Sequence, residues 1–152
     1  MHRVVASFFG SGLILRRVRG DDAGSGTLAS LIGFPLSLWI GSALGWPAQL
    51  IGAFVIALTA FWSVRALVDD EGDAGWIVID EVLGVFVATV GLLGWPSVIA
   101  FVVFRVADIT KGPFPGVRHV DEMAGTFGIV ADDAIAGLYG LAAGHLVRAL
   151  FF

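Results

Sequence analysis

The sequence predicts an all-α, multi-helix membrane protein, with two helical hairpins and a C-terminal helix in one domain over residues 1–152. Three observations carry this. The chain is 57% hydrophobic and only 14% charged, with mean hydropathy +0.90, whereas soluble domains carry about 25% charged residues. A chain this short cannot hide so much apolar surface in its own core, and a bilayer takes the excess. The tripeptide Gly-Trp-Pro occurs twice, at 45–47 and 94–96, each time between two apolar segments. A further apolar segment, Asp132 to Phe152, follows a loop rich in Pro and charge. The net charge of −4 gives no basis for nucleic-acid binding. With no cysteine, disulfides, thiolate metal sites and cysteine-phosphatase chemistry are excluded.

The elements follow in order. The first twenty residues, MHRVVASFFGSGLILRRVRG, have a short apolar run but no convincing small-residue cleavage site, and they are not read as a signal peptide. Thr27 to Leu44 is apolar, interrupted only by small residues and Pro35. Ala48 to Leu67 is the returning segment, so Gly45-Trp46-Pro47 makes the first hairpin tip. Pro opens a helix without losing a hydrogen bond, and Trp suits a membrane interface. A polar stretch, Asp69 to Asp73, reads as a solvated linker, and Asp21 and Asp22 read as loop residues. Ile77 to Leu93 and Ser97 to Ala107 form the second pair around Gly94-Trp95-Pro96. Lys111 to Gly128 is the loop before the last helix. About 20 apolar residues cross a bilayer upright. The first two segments and the last approach that length; the middle two are shorter and are expected to be partly enclosed or to dip into the bilayer without crossing.

Tracing these segments puts both Gly-Trp-Pro turns on one far face, free of charge, and the other ends on a near face with Arg16, Arg17, Arg19, Arg65, Lys111 and Arg118. The positive-inside rule makes the near face cytoplasmic. The near ends also carry acids. Asp80 and Glu81 stand side by side in an otherwise apolar run, Asp108 ends the fourth segment, and Asp132-Asp133 opens the fifth. Burying a carboxylate without a partner costs several kcal/mol. Five carboxylates converging on one face, beside Arg105 and Lys111, repel one another unless a cation sits among them. Oxygen-only ligands suit Mg²⁺, and Mg²⁺ with Arg and Lys suits a phosphate. Blander readings stand beside this one. Asp132-Asp133 can be simple caps at a helix N-terminus, and Arg105 and Asp108, at i, i+3, can merely pair with each other. Gly24-Ser25-Gly26-Thr27 before a helix is a weak anion-binding pattern. His2, His119 and His145 have no metal-ligand spacing.

Three blocks carry a family resemblance: Ile79-Asp80-Glu81-Val82-Leu83-Gly84, then Phe104-Arg105-Val106-Ala107-Asp108-Ile109-Thr110-Lys111, then Gly125-Thr126-Phe127-Gly128-Ile129-Val130-Ala131-Asp132-Asp133-Ala134-Ile135-Ala136-Gly137. In order and spacing they resemble the phosphatidylglycerophosphatase A family of bacterial inner-membrane, Mg²⁺-dependent lipid phosphatases, with similarity over roughly residues 8–147. The resemblance implies hydrolysis of phosphatidylglycerophosphate to phosphatidylglycerol and phosphate on the cytoplasmic face, with an anionic phospholipid as substrate. Two loops depart from the family pattern. Gly112 separates Lys111 from Pro113-Phe114-Pro115, and the region where the family has Pro-Gly-Thr before Gly-Ser/Thr-Leu reads Asp21-Asp22-Ala23-Gly24-Ser25-Gly26-Thr27-Leu28.

The expected function is thus Mg²⁺-dependent hydrolysis of a lipid phosphomonoester by direct attack of water. Asp80, Glu81, Asp108, Asp132 and Asp133 serve as metal ligands or base, and Arg105 and Lys111 bind phosphate. The rivals are a phosphatase acting on another phosphorylated lipid, and a non-catalytic scaffold or cation-binding subunit.

Overall fold

The computed structural model describes residues 1–152, and it contains helices and turns but no strand. The helices are α1 (His2–Ala6), α2 (Ser11–Arg19), α3 (Ser25–Leu44), α4 (Trp46–Arg65), α5 (Val68–Glu71), α6 (Ile79–Ala88), α7 (Trp95–Thr110), α8 (Val117–Asp121) and α9 (Thr126–Phe151). Helices α3, α4 and α9 are long and apolar enough to cross a membrane. Their outer faces expose large apolar side chains such as Leu36, Phe54, Leu58 and Leu146, as a lipid-facing surface does.

Both Gly-Trp-Pro stretches use one local plan. The Gly takes a positive φ, +84° at Gly45 and +64° at Gly94, and the Trp and Pro then form the first turn of α4 and of α7. The first hairpin closes directly. The second is splayed, because α6 and α7 each pack more extensively on α9 than on each other. The expected third segment, 77–93, is helical only over Ile79–Ala88. Ten residues rise about 15 Å, half a hydrocarbon core, so α6 is an internal element rather than a crossing. Eight of its ten residues are buried, with α3, α4 and α9 around it.

Glycines set how closely these helices approach. A Cβ on Gly137 of α9 would lie 2.6 Å from the Gly84 carbonyl oxygen of α6, and one on Gly52 of α4 would lie 2.9 Å from the Phe86 ring. Close packing of small residues is the usual cohesion of helices in lipid. A buried polar knot fixes the far end of α6. The Gln49 side-chain amide donates to the carbonyls of Ser37 and Thr89, both at 3.1 Å, and its oxygen accepts from the Gly91 N–H at 2.9 Å. The Ser37 and Thr89 hydroxyls meet at 2.7 Å.

Two N-terminal helices not expected from sequence pin the other end of α6. The Val78 N–H donates to the Ala6 carbonyl at 2.9 Å, and Gly12 lies against the Trp76 carbonyl so closely that no Cβ fits. Trp76 and Val78 are fully buried there, which explains why the apolar run begins before the acids. The last helix also differs from expectation, starting at Thr126 and not at Asp132. The preceding loop contains α8 and lies back against α9, with the Tyr139 hydroxyl donating to the Pro115 carbonyl at 2.7 Å.

Candidate active site

Each acid reaches the site from a different helix for a local reason. Asp80 and Glu81 are in the first turn of α6, and Asp108 is in the last turn of α7. Asp132 and Asp133 lie in the second turn of α9, whose N-cap is Gly125. The capping reading of that pair therefore fails, because dipole stabilisation fades beyond the first turn. Asp133 shares its face of α9 with Gly137, Gly140 and Gly144, the residues packed against α6, α7 and the turn between them, so the close helix contact points it inward.

The result is a recessed cavity of about 180 Å³ lined by Asp73, Asp80, Glu81, Asp108, Lys111, Asp132 and Asp133, with Gly75, Ile77 and Ile129. All five acids singled out in the sequence line it. Three of them form a tighter group: oxygens of Asp80, Glu81 and Asp133 all lie within 4.8 Å of one another. Asp80 and Asp133 are buried, and Glu81 Oε2 is buried without a hydrogen-bond donor. Crowded, desolvated carboxylates with an orphan oxygen are unfavourable unless a cation joins them. The donor set is all oxygen, which fits a hard divalent ion such as Mg²⁺.

The other two acids are paired. Asp132 accepts from Lys111 Nζ at 2.7 Å, and Asp121 also holds that ammonium. Burial opposes the charge on Lys111, but the hydrogen bonds to Asp121 and Asp132 and their negative charge override it and raise its pKa above the ordinary lysine value. Lys111 is the C-cap of α7 and has φ +48°, an unusual conformation for a side chain with a Cβ, and Gly112 follows it. Asp108 meets Arg105 at 2.6 Å, so the i, i+3 pair exists. Arg105 does more than pair, however: it also donates to Ser30 Oγ and Thr27 Oγ1, both at 3.2 Å. Arg105 does not line the acid cavity; Lys111 does.

Sequence reasoning missed several participants. Asp73, read as linker, lines the acid cavity. Asp22, read as loop, lines a second cavity beside it, together with Thr27 of the weak anion-binding pattern. Gly26 leaves the space that the Glu81 carboxylate occupies. The Gly24 to Thr27 stretch was the one available signal for this wall; nothing local marks Asp73 or Asp121.

Fold and site together define a class: a helical membrane protein with an acid-rich polar cavity, flanked by Lys and Arg, set among the ends of its helices. Comparison with known proteins places it within that class. Residues 4–148 match the family described as Phosphatidylglycerophosphatase A, and the chain belongs to that family. It is 37% identical over 144 residues to Phosphatidylglycerophosphatase A of Haemophilus influenzae, covering 91% of this chain and 83% of that one. It is 33% identical over 120 residues to a Bacteroides thetaiotaomicron protein named "Putative phosphatidylinositol-3-phosphatase", covering 74% and 73% of the two chains. No solved structure matches. The chain is accordingly an enzyme, a phosphatase of lipid metabolism acting on a phosphomonoester.

Proposed function

We propose that the enzyme hydrolyses phosphatidylglycerophosphate to phosphatidylglycerol and phosphate, using Mg²⁺, in the bacterial inner membrane with its active site on the cytoplasmic face. The observation that carries this reading is the recessed cavity in which Asp80, Glu81 and Asp133 face one another beside Lys111. The Haemophilus relative bears the name of the same reaction.

Asp80, Glu81 and Asp133 would hold the ion, which supplies charge neutralisation and polarisation of the phosphoryl group. The chain's own residues do the rest. Lys111, anchored by Asp132 and Asp121, holds the phosphate over the acids, whose charge would otherwise repel it. Arg105 brings a second positive charge to the substrate, held in place by Asp108, Thr27 and Ser30. Asp108 lines both cavities, and one of its oxygens is occupied by Arg105. The other oxygen takes the proton of the attacking water. The water oxygen bonds to phosphorus, the bond from phosphorus to the headgroup oxygen breaks, and the proton passes on to the leaving alcohol. Water reaches the cavity from the near face, while the lipid's acyl chains stay in the bilayer.

The test is phosphate release by purified protein in mixed micelles, with Mg²⁺ and with chelator. Turnover of phosphatidylglycerophosphate that requires Mg²⁺ is expected, and its absence would remove the reading. A different phosphorylated lipid is the second reading, favoured by the name of the Bacteroides relative and by the altered loops at Gly112 and at Asp21 to Gly26. Phosphatidylinositol 3-phosphate in the same assay separates the two.

A further inference from the structure

Helices α1 and α2 carry a surface that the acid cavity does not use. Val4, Phe9, Ile14 and Val18 are exposed there, Phe9 by 80% and Val18 by 77%. Ile14 and Val18 are i, i+4 and share one face of α2. At about 100° per residue, Arg17 and Arg19 fall on either side of that stripe. Both arginines are exposed, and neither forms an ion pair. Arg16 stands 4.0 Å from Asp22. Cations at the end of a helix answer its dipole, but that does not account for the apolar side chains between them. Nor does it account for the turn before α2. Phe8 and Phe9 have φ +45° and +57°, where bulky side chains are strained. The turn sends Phe8 against the core and leaves the Phe9 ring outside. The inner side of α2 is closed by contrast: Ser11 and Gly12 are buried, with Gly12 against the Trp76 carbonyl.

We infer that α1 and α2 form an interfacial foot that docks on anionic phospholipids of the near leaflet. Arg16, Arg17 and Arg19 meet the headgroup phosphates, and Phe9, Ile14 and Val18 lie among the upper acyl carbons. Two features name the bilayer as the occupant. Only residues 20–24 separate α2 from α3, which is long and apolar enough to cross a membrane, so the foot lies where the chain enters the hydrocarbon. The mixture of side chains also fits: arginine stems lie along apolar surface while their guanidinium groups reach the headgroups, and an anionic leaflet attracts basic residues at its surface. The foot is joined to the segment leading into Asp80 by Gly12 on Trp76 and by the hydrogen bond from Val78 to Ala6. Docking therefore gathers anionic lipid beside the acid cavity. It is independent of which lipid that cavity hydrolyses.

The experiment places nitroxide labels on single cysteines in the full chain, which has no cysteine of its own. The positions are Phe9, Val18 and, as a reference, Ala124, all exposed. The protein is held in nanodiscs of phosphatidylcholine alone, or of phosphatidylcholine mixed equally with phosphatidylglycerol. Collision of each label with oxygen, against collision with a water-soluble nickel complex, reads its depth. With phosphatidylglycerol present, the labels on Phe9→Cys and Val18→Cys should move from water into the bilayer, and that on Ala124→Cys should stay in water. Arg17→Gln and Arg19→Gln should each lower the ratio of docked to undocked label roughly fivefold. Arg17→Lys, which keeps the charge, should retain it. Labels at Phe9 and Val18 that stay in water in both lipids would overturn the inference. So would a depth that neither lipid charge nor the glutamine variants change, or equal movement of all three labels. Shielding that grows with the ratio of protein to lipid would assign the face to a second copy of the chain and overturn it too.

Discussion

At the residue scale the five acids separate into three that crowd and two that pair. Asp80, Glu81 and Asp133 have no cationic side chain bonded to them, whereas Asp108 and Asp132 are tied to Arg105 and Lys111. The two groups should respond differently to amide substitution. Asp80→Asn, Glu81→Gln and Asp133→Asn each remove a proposed ion ligand, so turnover should fall at least about a hundredfold, since an ion's charge stabilisation is worth several kcal/mol. Stability should move the other way. Without added cation, each variant relieves repulsion among buried carboxylates and should melt no lower than the wild type. With Mg²⁺ at a hundredfold excess over its dissociation constant, the wild type should gain about 2.7 kcal/mol, a gain the variants lose. Asp132→Asn should instead keep the Mg²⁺-dependent gain and lose activity by leaving Lys111 to Asp121 alone. Melting curves in detergent, with and without Mg²⁺, check this. An unaltered Mg²⁺ shift in Asp133→Asn would remove that residue from the ion site.

At the scale of elements, the site depends on how closely α6 approaches α9. Gly137→Ala improves helix propensity by about 1 kcal/mol, but its Cβ would meet the backbone oxygen of Gly84, which cannot swing aside as a side chain can. Overpacking costs about 1–3 kcal/mol, and it should win. The variant should melt lower and, by parting Asp133 from Asp80 and Glu81, lose activity. Gln49→Leu tests the opposite end of α6. It leaves the Gly91 N–H and the Ser37 and Thr89 carbonyls without their partner, at a cost of about 1–3 kcal/mol for each buried group left unsatisfied. A melting temperature equal to the wild type would show that the knot contributes nothing. These same elements mark the limit of what the sequence discloses. The two long helices of the first hairpin were legible because apolar length and the Gly-Trp-Pro breaks are local signals. The start of α9 was not, because Phe127 falls within the Pro- and Gly-rich stretch read as loop to Gly128, and Ile129 to Ala131 are too short an apolar run to mark a helix start before the acids. The shortness of α6 was also hidden: Trp76 to Val78 are apolar because α1 and α2 cover them, and not because they are helical. The acids announced themselves by standing in apolar surroundings. Asp73 did not, since it sits in a polar stretch and only tertiary packing brings it to the cavity; Thr27 was marked only by the weak Gly24 to Thr27 pattern.

At the scale of the whole molecule, charge and depth decide how the protein sits in the bilayer. Among its nine basic residues, Arg148 alone lies at the far end, where it donates to the Gly91 carbonyl at 2.9 Å. The others gather where α2, α5, α8 and the acid cavity lie, and the positive-inside rule favours that side as cytoplasmic. The 26 residues of α9 rise about 39 Å, some 9 Å more than a hydrocarbon core of about 30 Å. The excess is about the length of the turns preceding Asp132, so an upright α9 whose far end meets the hydrocarbon boundary would carry the acid cavity to the level of lipid phosphates. Sidedness is then open to direct test, because the chain has no cysteine to interfere. Buried Ser97, Ser25 and Thr126 are poor probe positions; Ser42 and Leu93 at the far end, and Ala23 and Ala124 at the near end, are exposed. Single cysteines there can be probed with a thiol reagent that does not cross membranes, in intact cells whose outer membrane, if any, has been made permeable. Labelling of Ser42→Cys and Leu93→Cys, with protection of Ala23→Cys and Ala124→Cys until the cells are lysed, is the expected pattern. The reverse pattern would turn the active site outward and overturn the cytoplasmic assignment. Labelling that separated Ala23→Cys from Ala124→Cys would be more damaging: the loop before α3 and the loop before α9 would lie on opposite sides of the membrane, and the two cavities could not share a wall.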